Sequence, residues 1–231
     1  MYLYQPSSGY AYNSDSIFLY DFISNFNPKG SLLDVGCGVG IISLLLTRDF
    51  NLSTTIIDKQ AIMLKYASQN YQLNNLTVTA VAEDFTQYIS NEKFDYIVSN
   101  PPFYHEDVQQ SQDNALNIAR YAHHLPIDAF VESVKENLKP RGYFIFCYDA
   151  KQVDTLLHTL IKHKINPETL RFVHSKIERD SKLVMISARK NSKAMMKILA
   201  PLIVFDEESN YTEKAQNAFD KAGTHSIKGD Y

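Results

Sequence analysis

The architecture of this chain follows from Leu32-Leu33-Asp34-Val35-Gly36-Cys37-Gly38-Val39-Gly40-Ile41-Ile42. Leu32 to Val35 reads as a short strand, Ile41 to Thr47 as an apolar helix, and the residues between them as a turn. The chain holds 8 glycines, and those at 36, 38 and 40 crowd into this one turn, so the turn itself demands them. Glycine admits positive φ and lets a ligand approach the backbone. The amino end of the following helix offers N–H groups that have no partner within the helix.

Working outward, the same alternation repeats. Strands are expected at Thr54–Ile57, Leu76–Val81, Phe94–Val98, Tyr143–Tyr148, Leu170–Val173 and Leu183–Ala188. Helices are expected at Ala61–Leu73, Asp128–Leu138 and Val153–His163, the second ending at Lys139-Pro140-Arg141-Gly142. Strands alternating with helices predict an α/β fold with a mainly parallel sheet covered on both faces. The expected fold is Rossmann-like and doubly wound, seven-stranded, with the last two strands as an antiparallel edge hairpin. Residues 1–30 are expected to be an extension that contributes to the substrate or cofactor pocket. Residues 31–190 form the main domain, and residues 191–231 a tail. The polar stretch Tyr104–Arg120 reads as a substrate loop or lid.

The 231 residues are 45% hydrophobic, which suits one medium-sized soluble domain. At this length folding buries roughly 70% of the unfolded surface, so no disulfide or metal is needed for stability. No apolar run approaches the ~20 residues that span a membrane, and Met1–Pro6 does not read as a signal peptide. Cys37 and Cys147 stand apart with no metal-ligand spacing, which fits two buried thiols in a reducing cytoplasm. Net charge is −3, but residues 139–197 carry a balance of +8 and the remainder −11. A basic segment beside an acidic body is expected to offer phosphates a local positive face.

The ligand of the turn is read from its carboxylates. The spacing is Gly-x-Gly-x-Gly with Asp34 in front, not the Gly-x-Gly-x-x-Gly of dinucleotide sites. A carboxylate there would repel a pyrophosphate and suits a cationic amino group. Asp58, with Lys59 beside it, closes the second strand where it can accept both hydroxyls of a ribose. Asp84 follows the third strand, placed to accept from an adenine amine, with Phe85 beside the ring. An amino acid, a ribose and an adenine without phosphate describe S-adenosylmethionine. Asp84 also reads as a helix cap, and capping does not exclude binding.

A second site follows the fourth strand at Ser99-Asn100-Pro101-Pro102-Phe103. Each proline fixes φ and biases its predecessor toward extended geometry. The result is a stiff tetrapeptide with an amide first and an aromatic ring last, suited to a flat NH2-bearing group.

Over about residues 30–190 the chain resembles class I S-adenosylmethionine-dependent methyltransferases. Asp34-x-Gly-x-Gly-x-Gly40 is similar to their cofactor loop, and Asn100-Pro101-Pro102-Phe103 to their amino-methylating motif. It looks most like the bacterial family that methylates N6 of the adenine beside the anticodon of tRNA(Val). That resemblance extends to Gln5, Gly9-Tyr10, Asp15-Ser16 and Leu19, to Ala119-Arg120, and to Pro201–Phe205 with Tyr211-Thr212. Some relatives end the motif in Tyr; Phe103 keeps the ring and loses the hydroxyl. The resemblance implies a methyltransferase using S-adenosylmethionine on tRNA; a cytoplasmic protein with no metal and no membrane is expected, its oligomeric state open with a monomer favoured.

The expected chemistry is direct transfer to an aromatic exocyclic amine. Asn100 and the Pro101 carbonyl would accept from that amine as charge develops on it. Phe103 would stack on the extruded base at about 1–3 kcal/mol. His123 and His124 read as packing or surface residues rather than a base. The alternatives are a protein-glutamine methyltransferase, a DNA or rRNA amino-methyltransferase, and a cofactor-binding RNA-binding protein without turnover. The 33 residues before Asp34 are too few for the helical recognition domain usual in the first.

Overall fold

The computed structural model describes residues 1–7, 12–101 and 127–229. In chain order the elements are β1 (Tyr2–Gln5), α1 (Ser14–Ser24), β2 (Gly30–Val35), α2 (Ile41–Asp49), β3 (Leu52–Ile57), α3 (Ala61–Leu73), β4 (Thr79–Val81), β5 (Phe94–Ser99), α4 (Ile127–Asn137), β6 (Leu138–Asp149), α5 (Val153–Lys162), β7 (Ile165–His174), β8 (Leu183–Lys190), β9 (Lys197–Ile198), β10 (Leu202–Ile203), α6 (Glu213–Ala222) and β11 (His225–Lys228).

The seven expected strands line up as β7-β8-β6-β5-β2-β3-β4. β8 runs antiparallel to both β6 and β7, and the other pairings in this sheet are parallel. The mainly parallel sheet with its hairpin is therefore as expected. The hairpin is not the outermost element, however: β9 and β10, of two residues each, pair with the outer side of β7.

Helices cover both faces because the strands are apolar on both. Along β2, Leu32 faces the cluster that holds α1, α2, α3 and α6, while Leu33 faces the cluster with α4 and α5. Tyr96 and Val98 of β5 go with the first cluster and Ile97 with the second. Each Leu, Ile or Phe so enclosed contributes about 1.5–3 kcal/mol of transfer free energy.

Two boundaries differ from expectation for local reasons. β4 begins at Thr79 rather than Leu76, because residues 74–76 finish α3: Asn75 adopts φ 56° and the Leu76 N–H bonds to the Tyr71 carbonyl. Lys139–Gly142 is not a loop before β6 but a bulge inside it, since Phe94 pairs with Leu138 and Tyr96 already pairs with Tyr143.

The segments outside residues 31–190 are built into the same body. α6 docks on α1, with Phe219 edge-on to Phe18 at 5.5 Å. Arg48 of α2 donates to the Ala222 and Lys221 carbonyls at the end of α6. β1 pairs in parallel with β11 and lies along α3. There Asn70 and Asn74, one helical turn apart, each grip both the N–H and the C=O of Tyr4 and Tyr2 respectively.

Candidate active site

Strand order reverses between β2 and β5, the place where open α/β sheets bind ligands beyond the carboxyl ends of their strands. Val35 at the end of β2 pairs with Ser99 at the end of β5. The Ser99 hydroxyl donates to the Val35 carbonyl at 2.7 Å, tying the two strand ends together.

On the β2 side the chain makes the expected turn, with positive φ at Gly36, Gly38 and Gly40. Gly40 is required twice over. Its φ is +81°, and a Cβ there would lie 3.1 Å from the Ala67 Cβ of α3. The turn is pinned from the neighbouring strand: the N–H groups of Gly36 and Cys37 donate to the Ile57 carbonyl at 2.9 and 3.3 Å. Asp58 receives the Gly38 N–H on Oδ2 at 3.0 Å and the Gln60 N–H on Oδ1 at 2.9 Å. From below, the buried Asn70 amide donates to the Val39 carbonyl at 2.9 Å.

Asp34 underlies this turn, only 1% exposed, and accepts the Ser43 N–H of α2 on Oδ2 at 3.3 Å. Burial pushes its pKa up to about 6 against the opposing hydrogen bonds from Ser43, and the negative charge of Asp58 adds to the rise. Asp58 is raised as well, by burial, although its backbone hydrogen bonds and the nearby Lys59 ammonium pull the other way. Two like-charged buried carboxylates under one amide turn are a site that gains by receiving a cation.

Asp84 is exposed after β4, and its Oδ1 accepts both the N–H and the hydroxyl of Thr86, at 2.9 and 2.7 Å. It thus organises its own turn, as a capping residue would. Phe85 is 5% exposed and packs edge-on against Phe130 at 5.6 Å, which leaves little of its ring to a ligand. Lys59 is exposed.

On the β5 side, Asn100 is half-buried and its side chain is held at both ends. Nδ2 donates to Ser16 Oγ in the first turn of α1 at 3.2 Å, and Oδ1 accepts from the Cys147 thiol of β6 at 3.0 Å. Pro101 is buried. Pro102, Phe103, the Tyr104–Arg120 loop, His123 and His124 lie outside the described residues, as do Gly9 and Tyr10. Cys147, Ser16 and Asn70 hold the site without having been assigned to it from sequence. For Cys147 the only signal is strand register, because Ser99 pairs with Phe146 and so brings Cys147 level with Asn100.

The basic segment does not form one face. Strand directions send Lys139, Arg141, Lys164, Arg189, Lys190 and Lys193 to the amino-terminal end of the sheet, away from Asn100. Lys151, Lys176, Arg179 and Lys182 lie at the same end of the sheet as the site, interspersed with Asp149, Glu178 and Asp180. The expected positive face is divided because β8 runs opposite to its neighbours.

The family model of the methyltransferase small domain matches residues 14–164. The chain belongs to that family. The match opens at α1, which supplies Ser16, and takes in both halves of the site. Among curated proteins this methyltransferase is 26% identical to a tRNA1(Val) (adenine(37)-N6)-methyltransferase of Phocaeicola vulgatus, over 68% of each chain. It is 38% identical to a ribosomal RNA small subunit methyltransferase C of Haemophilus ducreyi, over 40% of this chain and 28% of that one. The fold is that of the crystal structure of a "predicted O-methyltransferase" from Agrobacterium tumefaciens, with TM-score 0.71 and 14% identity over 92% of this chain and 99% of that one. The ribosomal protein L11 methylase of Lactobacillus delbrueckii subsp. bulgaricus superposes with TM-score 0.60 and 16% identity, over 80% and 83% of the two chains. This methyltransferase therefore uses S-adenosylmethionine as its methyl donor, and the buried Asp34–Asp58 pair fits a ligand that carries positive charge. Among the described residues no cluster of side chains fits a metal ion, and no helix is long and apolar enough to cross a membrane.

Proposed function

We propose that this protein methylates the exocyclic N6 of an adenine in tRNA, next to the anticodon. The observation that carries the reading is the Asn100 amide, fixed at both ends at the carboxyl end of β5 and one strand away from the cofactor turn. The tRNA1(Val) relative matched over 68% of each chain supports the choice of acceptor.

Bound S-adenosylmethionine supplies an electrophilic methyl group on a sulfonium. The protein residues do the remaining work. Asp58 holds the Gly38 amide and presents its other lone pairs to the ribose hydroxyls. Asp34 offsets the positive charge of the ligand's amino group from beneath the turn, with Gly36, Gly38 and Gly40 giving it close approach. Lys59 and Asp84 complete the cofactor pocket at the ends of β3 and β4, with Phe85 fixed against Phe130 beside them. Asn100 Oδ1 and the Pro101 carbonyl would accept from the amine of the target base, so that its lone pair leaves the ring as the nitrogen–methyl bond forms and the methyl–sulfur bond breaks, the surplus proton on nitrogen then passing to water. Such acceptors lower the barrier because they strengthen as positive charge develops on nitrogen. Pro102 stiffens the segment, and Phe103 stacks on the base.

The test is incubation with methyl-labelled S-adenosylmethionine and separated pools of tRNA, rRNA, DNA and protein, followed by nucleoside analysis. Label in N6-methyladenosine from tRNA is the expected result. Label confined to rRNA would move the assignment toward the activity named for the Haemophilus ducreyi relative. Label confined to protein would overturn it in favour of a glutamine acceptor.

A further inference from the structure

Asn100 can serve as an acceptor only if its amide is turned the right way round, and its own strand does not determine that. The amide meets two buried side chains from other elements: Ser16, 2% exposed, and Cys147, 0% exposed. We propose that Cys147 and Ser16 are positioning residues that hold the Asn100 amide with Oδ1 on the β6 side and ready to accept from the substrate amine. This deepens the functional reading above and rests on it.

The argument is one of donor and acceptor quality. A thiol sulfur is a poor acceptor, whereas a hydroxyl oxygen is a good one. With Nδ2 toward Ser16 at 3.2 Å and Oδ1 toward Cys147 at 3.0 Å, each group does what it does well. Flipping the amide would ask the sulfur to accept from an NH2 group. The thiol also remains a donor at neutral pH, because burial and the nearby Asp15 carboxylate both push its pKa well above the ordinary value. An S–H is a weak donor, so it orients Oδ1 without saturating it, and the second lone pair keeps its strength for the substrate. A lysine ammonium at 147 would compete with the substrate for that oxygen. The three residues stand on one face of the sheet. Ser16 comes from α1 and Cys147 from β6, the two elements that enclose the carboxyl end of β5 there.

The test compares Cys147→Ala, Cys147→Ser and Ser16→Ala with the wild type. Four quantities are read: the single-turnover methylation rate on the RNA pool that the wild type labels, the Kd for S-adenosylmethionine, the melting temperature, and the 15N–1H resonances of the Asn100 side chain. Cys147→Ala is expected to lower the rate about tenfold, as misorientation of a reacting group does. Its Kd for S-adenosylmethionine should be unchanged and its Asn100 side-chain resonances shifted. Cys147→Ser restores a donor, and its rate should return to within about threefold of wild type, with resonances near their original positions. Ser16→Ala should shift the same resonances. An unshifted Asn100 amide in both alanine variants would overturn the proposal. So would a serine variant as slow as the alanine one with both melting temperatures reduced, since the thiol would then only pack. If the wild type labels no RNA, the functional reading fails, and the Asn100 resonances alone still decide whether these two side chains hold the amide.

Discussion

The two sides of the β2–β5 switch are built over different distances. On the cofactor side the bonds that shape the site are local: Ser43 to Asp34 spans 9 positions and Gly38 to Asp58 spans 20. On the acceptor side they are not: Cys147 reaches Asn100 across 47 positions and Ser16 across 84. The cofactor turn can take shape as one β-α-β unit with its charge already in place. The acceptor amide waits for β6 and for a helix that precedes the whole sheet. On the proposed function, binding the donor and aiming the acceptor should therefore be separable, and substitutions should divide them.

The largest separation is expected at Asn100. Asn100→Ala should lower the single-turnover methylation rate by about 10²–10³-fold, the usual loss when one preorganised hydrogen-bonding group is removed. Calorimetry should show its affinity for S-adenosylmethionine unchanged. An equal loss of both would merge the two halves into one. The converse case is Asp58→Ala, which strands the Gly38 and Gln60 amides and takes away the proposed ribose acceptor. At about 1.5–3 kcal/mol for a charged hydrogen bond, S-adenosylmethionine should bind roughly 10- to 100-fold more weakly, while the saturated rate changes little.

A pH titration sharpens the cofactor side further. Asp34 has its pKa raised to about 6, above the ordinary 3.8 of an aspartate, so the fold favours its protonated form. In the ligand-free protein the stability linked to Asp34 is thus present at low pH and lost as pH rises from about 4 to about 6, amounting to about 3 kcal/mol at 1.36 kcal/mol per unit. A cationic ligand prefers the ionised form. Its Kd should weaken toward tenfold per unit below about pH 6 and lose that dependence between about pH 6 and pH 7. Asp34→Asn should abolish the bend and raise the melting temperature of the ligand-free protein at pH 8. The smallest expected effect is Gly40→Ala. Left-handed φ in a non-glycine residue costs roughly 1–2 kcal/mol, and the contact with Ala67 adds to it, so the midpoint of urea unfolding should fall with only a modest change in rate.

The same difference in distance explains what could be read from sequence. The seven strands, the Gly36–Gly40 turn and Asp58 lie in runs whose period and spacing carry the signal, and they form as expected. Asp34 was legible as a charge near the turn, but not as a buried one. Phe85 was legible as a ring beside Asp84, but not its packing on Phe130, because that partner comes from α4, far along the chain. Cys147 looked inert for the same reason: only the β5–β6 register brings its sulfur to Asn100. The division of the basic segment followed from the antiparallel run of β8, which sequence placed but whose consequence for surface charge it did not display.

The pairing of β1 with β11 sets an order in time. Gln5 closes the segment ahead of α1 by accepting the Tyr12 N–H, and it is itself held by Ser226, 221 positions later. Tyr12 in turn shares a hydrogen bond with Thr224. At roughly 5–20 residues per second, roughly 10–45 s of synthesis separate Gln5 from the partner that fixes it. Until then a growing chain has the residues of its Gly36–Gly40 turn but not the hydrogen bonds that hold Gln5 and Tyr12 ahead of α1.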